Sequence, residues 1–517
     1  MALKSLFGSF RGKLIPPAKA KNEAGGPAYE LTPEHRLAQY AVTGCLNGTF
    51  YADAATQLET VLSLCETVDA ELIAKTAVYC REKGRMKDVP ALLCAVLSVK
   101  APALLEKTFP RVIDGGKMLR NFVQIVRSGA VGRKSLGSLP KRLVRNRLAS
   151  FSDEVLFKAT VGNDPSIADI IKMVHPRPES PGREALYGYI LGRPHEAGLL
   201  PPIVRAFEAF KADRGSEVPD VPFQMLTSLP LGKDQWRSIA ECAPWQMTRM
   251  NLNTFARHGV FEDVRLAARI ADRIRNADAI RASGVFPYQL LAGYAAARAS
   301  IPRVVRDALH DAMEIATANV PEIPGAVCIC CDVSGSMQSP VTGFRKGSTT
   351  AVRCVDVAAL IAAVILRRNR NAQVLCFDHR VIEVALEPRD SVFTNARLLA
   401  SLGGGATACS APLELLNARG APVDLVILVS DNESWVDPAL GRGTRTMEEW
   451  SKLERRNPGA RLVCIDIQPY GTTQAIERQN ILNVGGFSDA VFDVVGSFAA
   501  GSMDPAGWVG MIRNVEV

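Results

Sequence analysis

The chain has 517 residues, too many for one ordinary core, so several domains or a domain joined to a repeat array are expected. Its 47% hydrophobic and 22% charged residues suit a soluble globular protein, and no apolar run reaches the ~18–20 residues that span a bilayer. The net charge of +8 is unevenly spread: residues 322–517 carry 18 Lys/Arg against 21 Asp/Glu, and 1–321 carry 43 against 32, which assigns any polyanion partner to the N-terminal part.

Residues 1–28 are basic, lack the longer apolar core of a secretion signal, and read as a flexible tail. From 29 to 320 the pattern is helix after helix. "LTPEHRLAQYAV", "AATQLETVLSLCETV", "AELIAKTAVYCREKG" and "VPALLCAVLSVKA" each repeat apolar residues at three- and four-residue spacing, with Gly, Pro or short polar turns between them. Two architectures satisfy this pattern: a stacked, HEAT-like series of helical hairpins, and an ordinary large helical bundle.

Within this part, 111–148 holds ten Lys/Arg and one Asp. Lys117, Arg120 and Arg127 lead into "GRKSLGSLPKRLVRNR", where Arg133, Lys134, Lys141, Arg142, Arg145 and Arg147 have no acid among them. A solvated helix face explains such a run. So does a phosphate-binding ridge, with salt-sensitive affinity independent of sequence. "REKGRMK", with Arg81, Lys83, Arg85 and Lys87, and "WQMTRMNLNTFARHG", with Arg249, Asn251, Asn253 and Arg257, are weaker candidates. Trp245 and Phe255 read as core rather than as stacking platforms.

From 321 to 517 the pattern changes to alternating strands and helices. "GAVCICCD", "AQVLCFD", "VIEVAL", "VDLVILVSDNE" and "ARLVCIDIQ" read as strands. "DVAALIAAVILRRN", "APLELLNARG" and "TMEEWSKLERRN" read as helices. This predicts a doubly wound, Rossmann-like α/β domain whose ligands bind beyond the carboxyl ends of its strands. The twelve cysteines lie mostly in apolar runs and read as reduced packing residues of a cytosolic protein. Cys328 and Cys331 form a C-x-x-C, but residues three apart on a strand point to opposite faces, which suits no shared zinc ion. Ser334 and Ser336 do not match the G-x-S-x-G of a hydrolase elbow.

Asp332, Ser334 and Ser336 alternate on the turn after the first strand. Thr407 sits in a glycine-rich loop, where it could instead cap a helix. Asp431 ends another strand, where it could instead serve a turn. Together they offer the oxygen ligands of a hard divalent cation, Mg2+ first among them. These residues resemble the metal-ion-dependent adhesion site of the von Willebrand factor A domain, a likeness that covers about 325–500. In that family an acidic side chain from a partner often completes the ion's shell.

"LAQYAVTGCLNGTFYADAATQL", "GRKSLGSLPKRLVRN" and "DNESW", in the order helical array then A domain, resemble the TROVE-module Ro autoantigen family, in particular its bacterial, Rsr-like branch. The resemblance implies that the helices close into a ring bridged by the A domain. It implies that misfolded non-coding RNA enters the hole by a single-stranded 3′ end, and that Y RNA binds the outer basic surface. It implies work beside exoribonucleases such as polynucleotide phosphorylase, in the cytoplasm, as a monomer and without catalysis. One segment departs from the family. Y-RNA binders tend to read Lys-Tyr-x-x-Arg-x-x-Trp-Ser-His-x-Asp, whereas 158–169 here is "KATVGNDPSIAD". Lys158, Ser166 and Asp169 match, but the Arg, Trp and His are missing, and Ile167 replaces the His. Lys172 and His175 follow as stand-ins, although a histidine there equally serves as a cap.

Two other readings of the residues stand beside the RNA-binding one: a protein-interaction scaffold whose metal site recruits an acidic partner, and a metal-dependent hydrolase using Asp332 and Asp431.

Overall fold

The computed structural model describes residues 15–517 apart from 45, 48, 284, 286, 296–299, 318–319, 345–351, 438–442, 489 and 504–506. The helical part begins where the sequence places its punctuation. Thr32 caps helix Pro33–Thr43, Asp53 caps Ala54–Thr67 and Asp69 caps Ala70–Glu82, each side chain accepting a backbone N–H of the first turn. The series runs on through Arg303–Thr317, each helix burying its apolar stripe on near neighbours in the chain. Trp245 and Phe255 are core residues, as expected.

The array returns to the A domain at both ends. Pro33–Thr43 and Ala70–Glu82 pack against the C-terminal helix Gly507–Arg513, and Pro33–Thr43 also meets the strand Ile481–Gly485. Pro287–Ala295 packs on Cys354–Arg368, and Arg303–Thr317 packs on Val392–Ala400. The two ends therefore join through the A domain, and the helices form a closed circuit.

The A domain is built on a six-stranded sheet in the order β5 (Val381–Ile382), β4 (Gln373–Phe377), β3 (Val327–Asp332), β6 (Leu425–Ser430), β7 (Arg461–Asp466), β9 (Ile481–Gly485). All neighbours are parallel except β5, which pairs antiparallel with β4 at the edge. The stretch "VIEVAL" thus contributes a two-residue edge strand only. Both faces of the sheet are covered, so β3 and β6 are buried throughout, as their unbroken apolar runs require. Ile329 and Cys331 point into one core with Cys354–Arg368, while Cys328 and Cys330 point into the other with Trp450 and Leu413. Cys328 and Cys331 therefore lie on opposite faces. The described cysteines are all free thiols and buried, except the exposed Cys242.

The flexible tail expected over 1–28 needs correction from residue 15 onward; residues 1–14 lie outside the described residues. β1 (Ala20–Lys21) and β2 (Pro27–Glu30) form a hairpin, and β2 pairs with β8 (Thr472–Thr473) of the A domain. Asn22 Nδ2 donates to the Ser434 carbonyl at 2.6 Å, and the Tyr29 hydroxyl donates to the Pro16 carbonyl at 3.0 Å. Local composition reads as a tail because the partners of this strap lie more than 400 residues away.

Candidate cation centre and basic surface

The sheet reverses its winding between β3 and β6, and there the loops that follow the two strands part and leave a crevice. Asp332 ends β3 and Asp431 directly follows β6, so the topology alone brings the two carboxylates together. Asp332, Ser334, Ser336, Thr407 and Asp431 are all buried. Asp332 Oδ1 accepts the Ser334 N–H at 2.8 Å, which bends the turn so that Ser334 Oγ and Ser336 Oγ stand 3.3 Å apart. Asp332 Oδ2 accepts the Ser430 hydroxyl at 2.5 Å. Asp431 Oδ1 accepts the Glu433 N–H at 3.2 Å. The glycine-rich loop is docked onto this turn, with Gly335 N–H on the Gly405 carbonyl at 2.9 Å and Gly404 N–H on the Val333 carbonyl at 2.8 Å. Thr407 is not an N-cap; helix Ala411–Ala418 starts after Ser410.

Burial pushes both Asp332 and Asp431 above the usual carboxylate range, and the charge of Asp431 raises Asp332 further. Burial likewise pushes Glu433 up to about 9 and Asp466 well upward. Desolvated like charges of this kind are costly unless protonated or joined by a cation. Among the described residues no three His, Cys, Asp or Glu side chains form a metal-binding group. The centre instead combines two carboxylates with hydroxyl oxygens, a donor set that fits a hard cation keeping part of its water shell.

Three contributors escaped the sequence reading. Ser430 supports Asp332 from the strand before Asp431. Glu433 accepts the Ala24 N–H of the N-terminal strap at 3.1 Å. Tyr51, from the helical part, stands edge-on to Tyr470, and burial followed by the charges of Asp431 and Glu433 pushes its hydroxyl up to about 12. The alternation along "VSDNE" could have revealed Ser430; no local signal could have revealed Tyr51.

The basic candidates fall into three groups. Lys117, Arg127, Lys134, Arg142, Arg145, Lys172 and His175 are exposed, and Lys141 is half-buried. Others also serve the fold while keeping their charge. Arg133 donates to the Ser98 carbonyl at 2.9 Å, Arg145 to Val174 at 2.9 Å, Arg147 to Pro110 at 2.5 Å, and Arg120 to Val161. The third group meets acids. Arg142 pairs with Glu106 at 2.6 Å, so the ridge is opposed by an acid from another helix, which local sequence did not reveal. Lys158 is held by Glu154 at 2.6 Å and Asp220 at 2.7 Å. Ser166 and Asp169 form the reciprocal capping box of helix Ile167–Val174, and His175 ends that helix in the left-handed conformation, φ 48°. Two of the three positions that match the Y-RNA pattern thus have a capping role.

The candidates of the "REKGRMK" turn are less uniform. Arg81 pairs with Asp114 at 2.6 Å, whereas Lys87 is lowered by burial and by the neighbouring charges of Lys117 and Arg81. Among the described residues no helix is long and apolar enough to cross a membrane.

Comparison with known proteins agrees with this architecture. Residues 326–499 match the family model for the Ro60 vWA domain. The chain is 24% identical to the RNA-binding protein RO60 of Deinococcus radiodurans, across 94% of this chain and 96% of that protein. It is 24% identical to the RNA-binding protein RO60 of Caenorhabditis elegans across 52% of this chain and 42% of that one. The crystal structure of the D. radiodurans RO (RSR) protein superimposes with a TM-score of 0.63 at 21% identity, covering 91% of this chain and all of that one. The C-terminal part thus matches a Ro60 vWA domain, and the chain as a whole is similar, almost end to end, to a Ro protein in sequence and in fold.

Proposed function

We propose that this protein is a non-catalytic RNA-binding ring. Y-like RNA binds its outer basic surface, and the single-stranded 3′ ends of misfolded non-coding RNA enter its hole. It works as a cytoplasmic monomer and presents these RNAs to an exoribonuclease of the polynucleotide phosphorylase kind. The names of its relatives support RNA binding. The observation that carries the reading is the set of exposed basic side chains, Lys117, Arg127, Lys134, Arg145 and Lys172, on a helical circuit closed by the A domain. Phosphate oxygens are the natural partners of such a surface.

The A-domain centre holds Mg2+ through Asp332, Ser334, Ser336, Thr407 and Asp431. Bound there, the ion supplies positive charge to the two carboxylates and accepts a further oxygen ligand. Asp332, Ser334 and Ser336 are hydrogen-bonded into one fixed turn, which suits binding rather than proton transfer.

The test is a salt series of RNA affinity with the triple variant Lys134→Gln, Lys141→Gln, Lys172→Gln. The slope of log K against log salt should fall by about 2, the effect of three lost contacts to single-stranded phosphates. Unchanged affinity and slope would sink the assignment of this surface.

A further inference from the structure

Asp437 lies six residues beyond Asp431, on the loop that leaves β6, and no sequence pattern marks it. Its side chain is buried and both carboxylate oxygens are engaged. Oδ1 accepts the Ser410 hydroxyl at 2.6 Å, and Oδ2 accepts the Ser434 hydroxyl at 2.7 Å and the Ser410 N–H at 3.2 Å. Ser434 Oγ in turn accepts the Cys409 N–H at 3.0 Å. These bonds tie two loops together: the one that ends at Cys409 and Ser410, and the one that follows Asp431.

The same loops meet again at Thr407, whose carbonyl accepts the N–H groups of Trp435 and Val436, each at 3.2 Å. On its other side the Thr407 loop is bonded to the Asp332 turn through Gly335 on Gly405 and Gly404 on Val333. Thr407 therefore hangs between the turn that carries Asp332, Ser334 and Ser336 and the loop that carries Asp431. Gly403 and Gly404 adopt φ 72° and 111°, a region that glycine enters freely. Residues 403–405 have no side chain with which to brace the loop, so its fastening comes from outside, and Asp437 supplies the side-chain bonds at its far end.

We propose that Asp437 is the positioning residue of the cation centre: by fastening Ser410 and Ser434 it fixes where Thr407 stands relative to Asp431, and so sets the affinity of the centre for its ion. The inference rests on the cation reading above. Asp437 acts through the two loops rather than at the ion, and residues in that role typically account for about 10–100-fold in metal affinity.

The experiment uses the full chain with Mn2+ as the probe. Affinity is measured by calorimetry, amide hydrogen exchange is followed over residues 404–410 without the ion, and urea denaturation is run alongside. Mn2+ is expected to bind the wild type. Asp437→Ala should weaken it about 10–100-fold and speed exchange over 404–410. Tyr79→Phe, which breaks the buried bond from Trp508 Nε1 at 3.1 Å, is the control for destabilisation elsewhere, and its Mn2+ affinity should equal that of the wild type. Should Asp437→Ala fail to fold, Ser410→Ala removes only the bonds of one hydroxyl and should weaken Mn2+ about fivefold. Mn2+ affinity equal to wild type in whichever of the two variants folds would overturn the positioning role and leave the cation reading standing. An equal loss in Tyr79→Phe would overturn it too, as a general effect of lowered stability. A wild type that binds no Mn2+ would overturn both.

Discussion

The indole Nε1 of Trp508 donates to the phenol oxygen of Tyr79 at 3.1 Å, and with that one bond the last helix of the A domain is pinned to helix Ala70–Glu82 of the array. Both side chains are buried, and His35 stands edge-on to the indole, ring centroids 5.4 Å apart. Tyr79→Phe leaves the indole N–H buried without an acceptor. Urea denaturation should show a loss of ~1–3 kcal/mol. Stability equal to wild type would remove this bond from the forces that close the circuit.

The same junction holds a proton-sensitive pair, His35 Nδ1 and Glu477 Oε2, 3.4 Å apart. Burial pushes Glu477 from an ordinary 4.5 up to about 7, so the native state keeps a proton that the unfolded chain releases. Taken alone, that makes stability fall as pH rises from about 4.5 to about 7. Burial holds His35 down at about 4 from an ordinary 6.5, so the unfolded chain takes up a proton that the native state refuses. Taken alone, that makes stability fall as pH drops from about 6.5 to about 4. The two slopes oppose each other between about 4.5 and 6.5. Relative to wild type, His35→Gln should therefore lose about 1–2 kcal/mol on going from pH 5 to pH 7, and Glu477→Gln should lose stability in the opposite direction. Parallel denaturation curves at the two pH values for all three proteins would contradict this.

Lys158 separates sequence resemblance from available charge. Its ammonium is engaged by Glu154 and Asp220, both on the surface. Lys158→Gln should leave the salt slope of RNA binding unchanged, whereas Lys134→Gln should lower it by about 0.7–0.9. A slope that falls equally in both variants would show that Lys158 exchanges its carboxylates for phosphate.

The N-terminal strap depends on one glycine. A Cβ at Gly26 would lie 2.1 Å from the Ser434 carbonyl oxygen and 2.9 Å from the Trp435 Cα, both backbone atoms that cannot swing aside. Gly26→Ala should release residues 20–30 from the A domain and expose Glu433, read out as faster proteolysis within the strap. The accompanying loss of stability should be about 1–3 kcal/mol. An unaltered cleavage pattern would mean that the strap yields locally.

Much of the site was legible because its signals are local. Asp332, Ser334 and Ser336 sit on one turn after an unbroken apolar strand, and that pattern is the same before and after folding. Trp245 and Phe255 were legible as core because large aromatic side chains are mostly buried. Arg142 was misjudged for the converse reason: its own segment has no acid, but Glu106 comes from a helix 36 residues earlier. Ser166 and Asp169 looked like contact residues by resemblance, yet their spacing of three is that of a capping box, and the structure uses them so.

The sequence by itself determined the two halves, helical periodicity followed by strand–helix alternation, and the order along the chain of the oxygen-bearing residues at the centre. Both are encoded in spacings of a few residues, where backbone geometry dictates which side chains share a face. Only the tertiary structure decided what faces the centre and what closes the circuit. Tyr51 on Tyr470, the strap on Glu433 and Trp508 on Tyr79 join residues hundreds of positions apart. Such pairings are selected by burial and shape across two domains, and neither partner's neighbours in sequence carry a trace of the other.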